Sequence, residues 1–111
     1  MKYTHYAPNA PVYLIEQDAT EIEQALTSLK ADQQRVALIA PSHLASDVAD
    51  FNFSVGQNEN LQQHSARLYD ALRLCDKTDA TIILATTTTN TGVGAAIMNR
   101  LEKAAVGYWS R

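Results

Sequence analysis

The chain has 111 residues, nine basic and twelve acidic side chains, a formal net charge of −3 and one cysteine. That length suits one small domain with a modest core. Scattered charge of both signs argues against a nucleic-acid platform, which needs a clustered basic face; a lone cysteine excludes an internal disulfide and gives no Cys-based metal site; no apolar run approaches the roughly 20 residues that span a bilayer.

Residues 1–10 read as an arm. Met1-Lys2-Tyr3-Thr4-His5-Tyr6-Ala7-Pro8 is extended, polar and aromatic, and it is too short to bury a face of its own. It lacks the apolar core of a signal peptide, so the expected compartment is the reducing cytoplasm, which the single cysteine fits. From residue 11 to residue 111 the pattern alternates strand with helix. Val12-Tyr13-Leu14-Ile15 is a short strand. Asp18, with Glu21 three residues on, reads as a capping box, in which each side chain satisfies an orphan backbone N–H. Ile22, Ala25, Leu26 and Leu29 then recur at helical spacing.

Arg35 to Ala40 is nearly all apolar, with Val36, Ala37, Leu38 and Ile39, and suits a central parallel strand covered on both faces. Pro41-Ser42 ends it, and Ser42 is placed to cap a short helix through about Ala49. Phe51, Phe53 and Val55 alternate with Asn52 and Ser54, the pattern of a strand with one wetter face or at an edge. After Gly56, a long helix carries Leu61, Ser65, Leu68, Leu72 and Cys75 on one stripe, with His64 on the surface and Cys75 in the core. Ile82 to Ala85 form a fourth, buried strand, and a last helix from about Gly92 places Val93, Ile97 and Leu101 on one face. Such βα units predict a three-layer α/β/α Rossmann-like domain with a mainly parallel sheet. The expected strand order is 3-2-1-4, with the loops at residues 16–18 and 86–91 meeting between strands one and four, where such folds bind ligands.

The chemistry-bearing residues are few. Thr88, Thr89, Thr91, Gly92 and Gly94 join a buried strand to a helix N-terminus, where small residues let backbone approach an anion. The full dinucleotide fingerprint is absent, because Ile97 stands where the third glycine would be, and no Lys-Ser/Thr phosphate loop occurs. A tight turn packed on the sheet explains the glycines equally well. Arg100, beside Asn99, has the planar fork that grips phosphate or carboxylate, although an arginine on a helix face is more often simply solvated. His5, His43 and His64 have no metal-ligand spacing, and no serine or cysteine lies in a nucleophile context.

Three stretches carry a resemblance. They are Lys2-Tyr3-Thr4-His5-Tyr6-Ala7-Pro8, Ala66-Arg67-Leu68-Tyr69-Asp70-Ala71-Leu72-Arg73, and Gly92-Val93-Gly94-Ala95-Ala96-Ile97-Met98-Asn99-Arg100-Leu101-Glu102-Lys103-Ala104-Ala105. In this order they resemble the interdomain linker and C-terminal domain of the long, two-domain threonylcarbamoyl-AMP synthases. The family usually has an acidic residue just before its Gly-x-Gly, where this chain has Asn90 and Thr91. The resemblance implies an accessory domain that is not catalytic alone. Its partner would be an N-terminal catalytic synthase domain in cis, which makes threonylcarbamoyl-AMP and pyrophosphate from threonine, bicarbonate and ATP, with magnesium, for tRNA modification. Neither direct nucleic-acid nor membrane binding is expected of the segment. Lys2, Tyr3, His5 and Tyr6 would then contact the catalytic pocket as a lid that excludes water from a reactive anhydride. The alternative is an independent α/β ligand-binding or regulatory module built on the Thr-rich loop.

Overall fold

A computed structural model describes residues 7–57 and 60–110. In chain order the elements are β1 (Val12–Ile15), α1 (Ala19–Ala31), β2 (Val36–Ala40), a 3-10 turn (Ser42–Leu44), β3 (Phe51–Ser54), α2 (Leu61–Cys75), β4 (Ile82–Thr86), α3 (Val93–Ala104) and β5 (Gly107–Tyr108). The five strands form one parallel sheet in the order β3-β2-β4-β1-β5.

The α/β class read from the sequence holds, but the strand order differs. β4 inserts between β2 and β1, pairing Ile83 with Val12 on one side and with Ala37 on the other. The reason is burial. All five residues of β4 and all five of β2 are buried, and strands apolar on both faces belong at the centre, where helices cover both sides. β3 is the edge strand its alternation predicts. β5 is an additional strand, two residues long, on the far side of β1.

The sheet divides the core in two. Ile22, Ala25, Leu26 and Leu29 of α1 pack with Ile15, Leu38, Ile82 and Leu84. On the opposite face, Leu68, Leu72 and Cys75 of α2 and Ile97 and Leu101 of α3 pack with Val12, Leu14, Ile39 and Ile83. The α1 crossover and the α2 and α3 crossovers run in opposite directions on opposite faces, which keeps each of them right-handed.

Local signals set the helix ends. The Asp18 side chain accepts from the Glu21 N–H at 3.0 Å. The return half of the capping box is replaced, since the Asp18 N–H donates to the Glu16 carbonyl at 2.8 Å. The helix expected from Ser42 to Ala49 is only the 3-10 turn, with no side-chain cap. The Ser42 hydroxyl instead meets that of Ser54 at 2.5 Å. Past the turn, Asn52 holds Ser46 through both its backbone N–H and its carbonyl. These side chain–backbone bonds offer the chain a satisfied alternative to a helical ladder.

Asp50 ties the amino ends of β2 and β3 together. Its carboxylate accepts from Lys30 Nζ at 2.5 Å and from the Val36 N–H at 2.7 Å. The Lys30 bond is the main cause that holds this carboxyl below its ordinary value, with the Val36 N–H adding to it and burial opposing. A lowered folded pKa means the contribution is complete above the unfolded value of about 3.9 and is lost as pH falls through the folded one. Asp50→Asn should therefore flatten the decline in urea midpoint below about pH 4. An unchanged acid limb would show that another carboxylate governs it.

His64 is a correction. It was expected on the surface, but it is 3% exposed, on the buried stripe of α2 with Leu68, Ala71, Leu72 and Cys75. These positions recur at helical spacing from His64, so the ring is carried onto the core face by geometry despite its polarity. Burial lowers its pKa from the ordinary value. The unfolded chain takes up the proton first, so His64 costs nothing well above about pH 6.5 and erodes stability as pH falls below it. His64→Gln should shrink the difference in urea midpoint between pH 7.5 and pH 5.5; an unchanged difference would place the titration elsewhere.

Candidate functional site

β1 and β4 are neighbours, and each leaves the sheet in a different direction. β1 runs into α1 on one face, and β4 into α3 on the other. The loops leave the carboxyl edge of the sheet on opposite faces, as such folds do at a switch point, and they are bonded to each other through the Thr87 N–H and the Ile15 carbonyl at 2.9 Å. Gln17 adds a second link between the loops, donating its side-chain N–H to the Thr87 carbonyl at 2.7 Å. The sequence reading placed these two loops together; it did not single out Gln17.

The Thr-rich loop is built on close packing. Gly94 is buried at the start of α3, and a Cβ there would overlap the carbonyl oxygen and hydroxyl of Thr89. Gly92 has φ of 57° and ψ of −132° and caps α3 without a side-chain hydrogen bond. Thr88 is half-buried, and its N–H points at the Met98 sulfur at 3.4 Å. Thr89 and Thr91 are exposed. Thr86, at the end of β4, is 2% exposed, and its hydroxyl has no hydrogen-bond partner. Strand alternation puts that hydroxyl on the α1 face with Ile82 and Leu84, away from the start of α3. The loop therefore presents tight-turn glycines, with the Thr89 hydroxyl against Gly94 in the first turn of α3 and Thr91 exposed.

Asn99 and Arg100 are exposed on α3. They lie about 9 Å along the helix from Val93, at a rise of about 1.5 Å per residue, so the loop and the Asn–Arg pair do not form one cluster. Lys2, Tyr3, His5 and Tyr6 lie outside the described residues. The described chain begins at the opposite end of the sheet from the Thr-rich loop. There the Asn9 N–H donates to Asp76 at 2.9 Å, and the Pro11 carbonyl accepts from Ile83 at 2.9 Å.

Cys75 is buried, and burial pushes its thiol up to about 12, far from a reactive thiolate. Among the described residues, no three His, Cys, Asp or Glu side chains lie together as metal ligands, and no helix is long and apolar enough to cross a membrane.

The fold is thus that of a doubly covered parallel α/β domain, with residues 7–11 entering at the amino edge of its sheet. Residues 1–106 match the family described as threonylcarbamoyl-AMP synthase, C-terminal domain, and the chain belongs to that family. It is 41% identical over 108 residues to the threonylcarbamoyl-AMP synthase of Bacillus subtilis (strain 168), and 36% identical over 112 residues to that of Pyrococcus abyssi (strain GE5 / Orsay). The alignments cover 96% and 97% of this chain but 31% of each relative, so the chain spans about a third of their length. A crystal structure of P. abyssi Sua5 complexed with L-threonine superposes at a TM-score of 0.84, with 32% identity, covering all of this chain and 33% of that one. The separate C-terminal Sua5 domain of a Pyrococcus horikoshii protein superposes at 0.74, with 28% identity, covering 94% of this chain and 100% of that one.

Proposed function

We propose that this chain serves as the C-terminal accessory domain of a threonylcarbamoyl-AMP synthase, and that its arm, residues 1–10, reaches a catalytic domain that precedes it. The observation that carries this reading is the family match over residues 1–106 to proteins about three times as long. In this reading the preceding domain joins threonine, bicarbonate and ATP into threonylcarbamoyl-AMP, releases pyrophosphate, and supplies a tRNA-modification step in the cytoplasm.

ATP and magnesium belong to that preceding domain. The donor set here does not suit them: the Gly92-x-Gly94 turn lacks its third glycine, with buried Ile97 in that place, and among the described residues no acidic cluster lies beside the turn. The role of this chain is to position the arm. Lys2 and His5 would meet anionic oxygens, and Tyr3 and Tyr6 would wall the pocket, excluding water from the mixed anhydride. Thr88, Thr89, Thr91, Asn99 and Arg100 are left as surface available to the other domain.

The test is pyrophosphate release from ATP with threonine and bicarbonate, measured on the chain alone, on the catalytic domain alone and on the two joined. Silence from the chain and a gain of tenfold or more on joining are expected, with most of the gain lost when Lys2, Tyr3, His5 and Tyr6 are all replaced by Ala. Activity from the chain alone would overturn the reading and make the Thr-rich loop the first place to look for a catalytic site.

A further inference from the structure

Residues 7–11 lead the chain into β1, and proline restricts nearly every one of them. Pro8 and Pro11 have φ fixed and carry no N–H. Ala7 and Ala10, each followed by proline, are held to extended backbone. Asn9 alone escapes both restrictions, and the chain bends at Asn9 and Ala10. It is therefore the natural hinge between the arm and the sheet.

That hinge is held. The Asn9 N–H donates to Asp76 Oδ1 at 2.9 Å. On the sheet side, Ala10 packs against the core shared by α2 and α3, and the Pro11 carbonyl accepts from Ile83. Asp76 is itself fixed. It closes α2 as the C-cap, with its own N–H donating to the Arg73 and Leu74 carbonyls. The turn beyond it is tied back as well, the Lys77 N–H to Leu74 at 3.0 Å and the Thr78 hydroxyl to the Cys75 carbonyl at 2.7 Å. The helix does not explain a carboxylate at this place. A helix C-terminus carries partial negative charge and favours cations, a preference that Arg73 in the last turn already meets. A residue that breaks a local rule points to a role elsewhere, and here the bond it makes is to a residue 67 positions away.

We infer that Asp76 is a positioning residue for the pocket-closing arm: by holding the Asn9 N–H, it sets the direction in which the chain before Asn9 leaves this domain. This rests on the accessory-domain reading above. An arm whose hinge is already held loses less conformational freedom when it closes over a pocket, so closure is favoured before any contact with substrate is made.

The test is steady-state pyrophosphate release by the long protein, with threonine varied. Asp76→Ala should raise KM for threonine about fivefold, less than the full worth of a hydrogen bond to a charged group because both partners are exposed. It should leave kcat within about twofold, because the arm holds the closed complex and does not touch the reacting atoms through Asp76. Asp76→Asn keeps an oxygen to accept from Asn9 and should restore most of the affinity. Asp70→Ala, which removes an exposed carboxylate elsewhere on α2, should change neither constant. Amide exchange at Asn9 reports the bond itself in this chain alone; a domain of this kind stands alone in the P. horikoshii crystal structure. Exchange should quicken in Asp76→Ala and not in Asp76→Asn. An unchanged KM in Asp76→Ala would overturn the inference. So would equal losses in the Ala and Asn variants, which would assign the effect to charge, or a loss that tracks a lowered urea midpoint of the chain alone, which would make Asp76 a contact of the fold and nothing more. The two readings fail differently. A long protein no more active than its catalytic domain sinks the accessory reading and this inference with it, whereas a gain on joining that survives Asp76→Ala sinks the positioning role alone.

Discussion

Leu84→Ala should remove about 2–5 kcal/mol of stability, the range for leucine truncation in a close-packed core. Leu84 is fully buried in β4, the middle strand of five, and packs on the α1 side with Leu26, Leu38 and Ile82. Strands on both sides and helices on both faces leave the site little freedom to collapse around the cavity, which places the loss toward the upper end. Against a total of about 5–15 kcal/mol for an ordinary domain, that leaves a chain on the margin of folding at 37 °C. Urea denaturation at neutral pH measures it. Leu74→Ala, at a residue 43% exposed on α2, is the matched control and should change stability by less than about 0.5 kcal/mol. A loss at Leu84 no larger than that at Leu74 would mean that β4 is not central.

Gly94→Ala should cost about 1–3 kcal/mol, the usual range for overpacking. For a domain of this size that lowers Tm by about 4–8 °C for each kcal/mol. The new methyl would fall on the Thr89 carbonyl oxygen and hydroxyl, and the Thr89 carbonyl carbon would stand at 3.0 Å. Thr89→Ala should recover only part of the loss, because it removes the hydroxyl and leaves the carbonyl. Full recovery would show that the hydroxyl alone was in the way. Gly92→Ala reaches a similar cost by a different route. Nothing lies within 4 Å of its added Cβ, but φ of 57° with ψ of −132° is backbone that glycine alone adopts readily. No second substitution at Thr89 should relieve it, since its strain lies in the backbone dihedrals. These two glycines are accounted for by the turn itself.

Much of the local structure was legible in the chain. The runs Val36–Ala40 and Ile82–Ala85 are apolar without alternation, and both proved to be covered on both faces. Asp18 opens α1 through the bond its spacing predicts. The alternation at Phe51–Ser54 marked an edge strand. Cys75 read as core from its place on the helix stripe, and it is core. The resemblance through the arm, the middle helix and the last helix pointed to the family that residues 1–106 match.

The rest was decided by contacts between residues far apart in sequence. β2 and β4 carry nearly the same pattern, and nothing in either run says which one neighbours β1. The order β3-β2-β4-β1-β5 follows from how α1 on one face and α2 and α3 on the other share the sheet. β5 has two residues, too few for any periodicity, and it is a strand because β1 has a free edge beside the end of α3. His64 was placed outside on its polarity, yet α2 turns it inward with Leu68 and Cys75, because a helix fixes the angle between side chains before burial judges them. Residues 7–11 and the Thr-rich loop lie at opposite ends of the sheet, because β1 follows the first and β4, parallel to it, precedes the second. Propensity, capping and burial pattern act over a few residues and can be read from the chain, whereas strand neighbours and shared surfaces are set by which distant faces bury each other, and only the folded molecule decides that.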